Sequence, residues 1–166
     1  MKLILAILVT GIFAFSAFAQ SASIEKNFAA NIKRYKVEKY SVGEDSSSGY
    51  DYLVYKRGAQ IVKIRTIWSS SANPEWWIED AYYKAGQPIL MVELSVTKRQ
   101  YRSVVKGSQI ALKIKDRYEF EDSKLMKWTE KGKDVGTGDA RWAEFERDIF
   151  TTAKNTLEFY PEMKEQ

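Results

Sequence analysis

The chain has 166 residues, enough for one domain with a genuine core, and contains neither histidine nor cysteine. Those two absences exclude Ser-His-Asp and Cys-His nucleophiles, a histidine general base, disulfide staples and the usual zinc or copper sites. A formal net charge of +4 is too small an excess to argue for nucleic acid, and no cofactor is expected.

The first segment reads as an export signal. Met1-Lys2 is a minimal basic start, Leu3 to Phe18 is apolar apart from Thr10, Gly11 and Ser16, and Ala17-Phe18-Ala19 supplies a small-x-small cleavage pattern. The spacing predicts a signal peptide over residues 1–19 and a single α+β domain over 20–166. The mature protein is then periplasmic or secreted, with no membrane span after cleavage and no cysteine to carry a lipid.

Next comes SIEKNFAANIKRY (residues 23–35), with Ile24, Phe28, Ile32 and Tyr35 at helical spacing and Ser23 placed to cap. A polar loop, SVGEDSSSG, follows. The middle of the chain alternates Tyr, Val, Ile and Trp with charged residues, which is strand patterning. YKRGAQIVKI at 55–64 and YKAGQPILMV at 83–92 repeat one unit of strand, turn and strand, and FEDSKLMKW at 120–128 is a third copy with Ser123 in the glycine's place. At the end, Asp139 can cap a helix whose apolar stripe is Trp142, Phe145, Ile149, Ala153 and Leu157, with Pro161 just beyond it.

These elements predict an antiparallel meander of about six strands, with the N-terminal and C-terminal helices packed on one face. A three-residue turn at Lys84-Ala85-Gly86 would set Tyr82 opposite Pro88 and Asp80 opposite Leu90. It sorts Trp76, Ile78, Asp80, Tyr82, Leu90, Val92 and Leu94 onto the face beneath the helices, and Trp77, Glu79, Ala81, Tyr83, Ile89, Met91 and Glu93 onto a mixed outer face. The same rule groups Tyr50, Tyr52, Val54, Val62, Ile64 and Trp68 in the first hairpin, and Ile110, Leu112, Ile114, Tyr118, Phe120, Met126 and Trp128 in the third.

The Y-x-x-G-x-x-I pattern at Tyr55-Gly58-Ile61 and Tyr83-Gly86-Ile89, with KLMKW at 124–128, resembles a group of exported bacterial sheet proteins with tyrosine-rich "YYF-D/N-GKL-I" hairpins. It is also distantly similar to MORN-type hairpin repeats. The resemblance covers roughly residues 50–160 and implies a sheet fold and export, with no catalytic residues to carry over.

Catalysis has few routes left. Ser123-Lys124 falls in a turn, so a Ser-Lys dyad is disfavoured and no enzyme is expected. The calcium-like segments EDSSSGYD (44–51) and KDVGTGD (133–139) lack EF-hand spacing and read as a solvated loop and a helix cap. The alternative is a carboxylate-dependent hydrolase using Asp80, Asp116 or both, each placed on an otherwise apolar face. The principal expectation is a non-enzymatic module that binds a polypeptide or glycan. Its surface would be the mixed face: Trp77, Tyr83 and Met91 among Lys63, Arg65, Lys113, Lys115 and Arg117. A dimer through that face or through sheet edges is a third expectation.

Overall fold

The computed structural model describes residues 23–43, 48–70, 75–97, 100 and 112–163, so the signal expected at 1–19 lies outside the described residues. The chain falls into two compact units, Met1–Arg34 and Tyr35–Gln166. In the first, residues 23–31 form a helix (α1), extended by a 3-10 turn at Ile32–Arg34. Asn31 donates its side-chain amide to the Asn27 carbonyl at 2.9 Å, tightening the last turn of α1. No described helix is long and apolar enough to cross a membrane.

The second unit is one antiparallel sheet in simple chain order. Its strands are β1 (Lys36–Gly43), β2 (Ser48–Arg57), β3 (Gln60–Ser70), β4 (Glu75–Lys84), β5 (Gln87–Thr97), β6 (Lys113–Glu121), β7 (Lys124–Glu130) and β8 (Lys133–Val135). A single long helix, α2 (Trp142–Met163), ends it. The class is α+β and the sheet a meander, but among the described residues it has eight strands rather than about six. The additions are β1, which follows straight on from the first unit, and the three-residue β8, whose KDV sequence carries almost no strand signal.

Three hairpins, β2–β3, β4–β5 and β6–β7, close in the same way. Each has a two-residue turn, then two ordinary pairs, then one extra residue in the second strand: Val62, Ile89 or Met126. Ala85 and Gly86 sit at φ 51° and 77°, and Asp122 and Ser123 at 49° and 67°, the doubly left-handed pair of a type I′ turn. Gly58 alone is left-handed in the first hairpin, at φ 60°, which suits the first central position of a type II′ turn. A two-residue turn plus a bulge has the same parity as the three-residue turn expected for β4–β5. The face partition of that hairpin therefore holds, while Asp80 stands opposite Val92 rather than Leu90. In β6–β7 the bulge turns Met126 outward, 53% exposed, and Leu125 takes its place inside.

Pairing between hairpins decides which faces join. Glu38, Val54, Ile64, Ala81, Met91, Tyr118, Trp128 and Val135 form one row across all eight strands. The α2 stripe packs on this row through Trp142, Phe145, Ile149, Phe150, Ala153 and Leu157. Trp128 stacks under Phe145 at 4.4 Å between ring centroids, and Phe120 meets Phe150 edge-on at 5.5 Å. Tyr83 donates its hydroxyl to the Ala153 carbonyl at 2.8 Å. Glu146 accepts the Leu125 backbone N–H at 2.9 Å, fixing α2 to the turn end of β7.

This reverses the expected orientation of the second hairpin. Ala81, Tyr83 and Met91 lie beneath α2, because Trp68 pairs with Trp77 and so joins the apolar face of β3 to the mixed face of β4. The opposite face is also buried at its centre: Ile78 and Leu90 have no exposure. The central strands thus carry core on both sides, interrupted by the charged residues Lys63, Arg65, Glu79, Asp80 and Glu93. At the helix start, Asp139 accepts the Arg141 backbone N–H at 2.9 Å, as a cap residue does. At its end Pro161 lies inside the last turn rather than after it.

Candidate binding face

The face turned away from α2 holds a buried ion cluster. Asp80 accepts from Lys63 Nζ at 2.7 Å and from Arg65 Nε and its terminal nitrogen at 2.6 Å each. Lys63 also donates to the Tyr82 hydroxyl at 3.1 Å and lies 4.6 Å from that ring's centroid. Burial alone would raise the Asp80 carboxyl, but Lys63 and Arg65 hold it down at about 2. Lys63 is only 3% exposed. This cluster is a satisfied structural group, so Lys63 and Arg65 do not belong with Trp77 on a binding surface.

The other expected residues also divide. Tyr83 and Met91 are core under α2. Arg117 stands opposite Val92, on the ion-cluster face. Trp77, Lys113 and Lys115 do come together on the α2 side, at the end of the sheet beyond the helix-packed row. Lys113 pairs with Ser95, directly beside Trp77. Lys115 is the extra residue of a bulge between the Glu93–Asp116 and Leu94–Ile114 pairs, and its Nζ lies 4.8 Å from the Trp77 ring centroid. The same bulge sends Ile114 to the opposite face, where it is 43% exposed.

Asp80 and Asp116 are on opposite faces and cannot flank one bond. Asp116 has different neighbours. Thr66, Glu79, Glu93, Asp116 and Glu130 stand opposite one another across β3 to β7, so four carboxylates occupy adjacent strands. Like charges directly opposite repel. Burial, then Glu79 and Asp116, push Glu93 up to about 7, against Lys115 and a hydrogen bond with Tyr118. Burial raises Glu79 as well. Burial and Glu130 raise Asp116, whose Oδ1 has no hydrogen-bond partner among the described residues. Glu130 is held instead by Arg141, at 3.2 Å. Among the described residues, no set of three or more acidic side chains is arranged to grip a metal ion.

Beside this row runs an aromatic band. Tyr50, Trp68 and Trp77 are direct neighbours on β2, β3 and β4, and Tyr50 stacks on Tyr52 at 6.2 Å. Tyr52 opens into a groove along α2 lined by Asn155, Thr156, Glu158, Phe159 and Glu162. Trp77 is 50% exposed, the most exposed aromatic of the core-forming strands. Both the carboxylate row and the band were hidden in the sequence, since each is made by registers between separate hairpins. Only the alternation of Tyr50 with Tyr52, and of Trp77 with Glu79, signalled their faces.

No family model, curated protein or solved structure matches this chain.

Proposed function

We propose that the protein is an exported, non-enzymatic binding module, and that it holds a polypeptide or glycan on the α2-side surface around Trp77. The observation that carries this reading is the half-exposed Trp77 indole with Lys115 held over its ring, at the end of a continuous aromatic row. A large aromatic left in water beside a positioned cation gains from covering by a ligand, and contributes little to the fold where it stands. Trp77→Ala is the test. Its unfolding midpoint should stay close to that of the parent, while retention on immobilised glycans or unfolded polypeptides is lost. Unchanged retention removes this surface from consideration.

A second reading, a carboxylate-dependent hydrolase, draws on a different pair from that expected. Asp116 lies directly opposite Glu93, which burial and the neighbouring carboxylates raise to about 7, and such a pair can divide acid and base roles. Release of nitrophenol from a panel of nitrophenyl glycosides, abolished by Glu93→Gln, would support it. No turnover by the parent protein rejects it.

A further inference from the structure

The groove beside α2 and the aromatic band form one track. Phe159 and Tyr52 wall the groove, Tyr52 stacks on Tyr50, and Tyr50 leads through Trp68 to Trp77. From Tyr50 to Trp77 the track crosses two strand spacings, roughly 10 Å. The groove adds further length along α2. A single small ligand would use one end of it, whereas a linear polymer with a repeating apolar face would use the whole.

The polar groups along the track narrow the chemistry. In the groove they are the Asn155 amide, the Thr156 hydroxyl and the carboxylates of Glu158, paired with Lys154 at 3.5 Å, and Glu162; beside the band they are Glu79 and Glu93, with Lys113 and Lys115 at the Trp77 end. Thr156 donates to the Thr152 carbonyl at 2.9 Å, leaving its oxygen as an acceptor toward the groove. Planar amides and carboxylates next to aromatic faces suit sugar rings, which present a C–H face to an aromatic ring and a rim of hydroxyls to acceptors. The groove carboxylates disfavour sulfated or uronic polymers there through like charge, Lys113 and Lys115 act against this at the Trp77 end, and the mixed track as a whole favours neutral or amino sugars.

We infer that this track is an extended subsite for a linear glycan of neutral or amino sugars, running from the α2 groove to Trp77. The inference rests on the binding reading above and specifies its ligand.

Calorimetric titration with chitosan oligosaccharides and malto-oligosaccharides of two to six sugars tests it, with heparin fragments and unfolded casein as contrasting probes. Affinity for at least one neutral or amino series should rise with chain length. Trp77→Ala at one end and Asn155→Ala at the other, both exposed positions, should each weaken the longest oligomer about tenfold, the loss of one well-placed anchor. The disaccharide should respond to one substitution only. Binding without chain-length dependence, or unaffected by Asn155→Ala, overturns the extended track while leaving the Trp77 surface in place. Binding of casein alone, lost in Trp77→Ala, overturns the glycan and retains the module. Preference for heparin overturns the charge argument and with it the inference. Binding of none of these probes overturns both the inference and the binding reading.

Discussion

Tyr160, in the last turns of α2, donates its hydroxyl to the carboxylate of Glu38 in the edge strand β1, 122 residues away in the chain. Glu38 also accepts from Tyr40 at 2.9 Å and pairs with Lys36 at 2.9 Å and Lys56 at 3.4 Å. The Tyr160 ring meets Tyr40 edge-on at 5.9 Å. The end of the helix is thus pinned to the start of the sheet by a charge-assisted bond within an aromatic contact. Tyr160→Phe keeps the ring and removes the bond, and is expected to cost about 1–3 kcal/mol in urea unfolding. Tyr160→Ala, which also loses the packing, is expected to cost about 3–5 kcal/mol.

The same group sets an acid limit. Tyr160, then Lys36, Tyr40 and Lys56, hold Glu38 well below its ordinary 4.5 against the smaller opposing effect of burial. A depressed carboxylate contributes stability that is complete above the unfolded value and is lost as pH falls from 4.5 toward the folded value. The stability of Glu38→Gln should therefore decline less than that of the parent between pH 4.5 and 2.5, as measured by thermal unfolding across that range.

The carboxylate row has the opposite sign. Glu93 is raised to about 7, so the folded state binds more protons than the unfolded chain between pH 4.5 and 7. Stability should fall as pH rises through that window, by about 1–3 kcal/mol for this residue, and level off above it. Glu93→Gln removes the titration, and the variant should be more stable than the parent at pH 8. A parent whose stability is flat from pH 5 to 8 would contradict this.

The buried ion cluster differs from a surface salt bridge in what its loss leaves behind. Asp80→Ala strands Lys63 and Arg65 in the core without their shared anion and is expected to destabilise by about 3–5 kcal/mol. Lys63→Met keeps the two Arg65 bonds to Asp80 and should cost less. Equal losses would mean that the three groups do not act through Asp80.

Ala85 occupies a left-handed position that asparagine tolerates better, and it precedes Gly86. Ala85→Asn should stabilise by roughly 0.5–1 kcal/mol, whereas Gly86→Ala, at φ 77°, should destabilise by about 1–2 kcal/mol. Urea midpoints of the two variants give the comparison.

Local features were readable from the sequence because they depend on neighbours along the chain. The α2 stripe from Trp142 to Leu157, the Asp139 cap, the positions of the hairpin turns though not their two-residue length, and the two-faced partition of β4–β5 all follow from residue spacing. Long-range joins were not readable. Nothing in the residues near Trp77 states that Trp68 will stand opposite it, and that one pairing moved Tyr83 and Met91 from the expected surface into the core. The bulge at Lys115 did the same for the cations, separating Lys115 from Arg117. Lys63 and Arg65 are legible as a pair on one face, but their counterion Asp80 lies on the next strand, and only the pairing of β3 with β4 brings it to them.

The order of the strands bears on how the protein assembles. Every strand pairs with the next one in sequence, so the sheet can grow by successive closures between chain neighbours, the longest across residues 98–112. Alone, that would leave a chain of hairpins able to fray from either end. The final helix reaches back across the array, and Tyr160 grips the first strand at Glu38. Docking of α2 is expected to be the late event that turns sequential zippering into all-or-none folding. A chain ending before Trp142 should melt gradually, losing its sharp transition before it loses its strands.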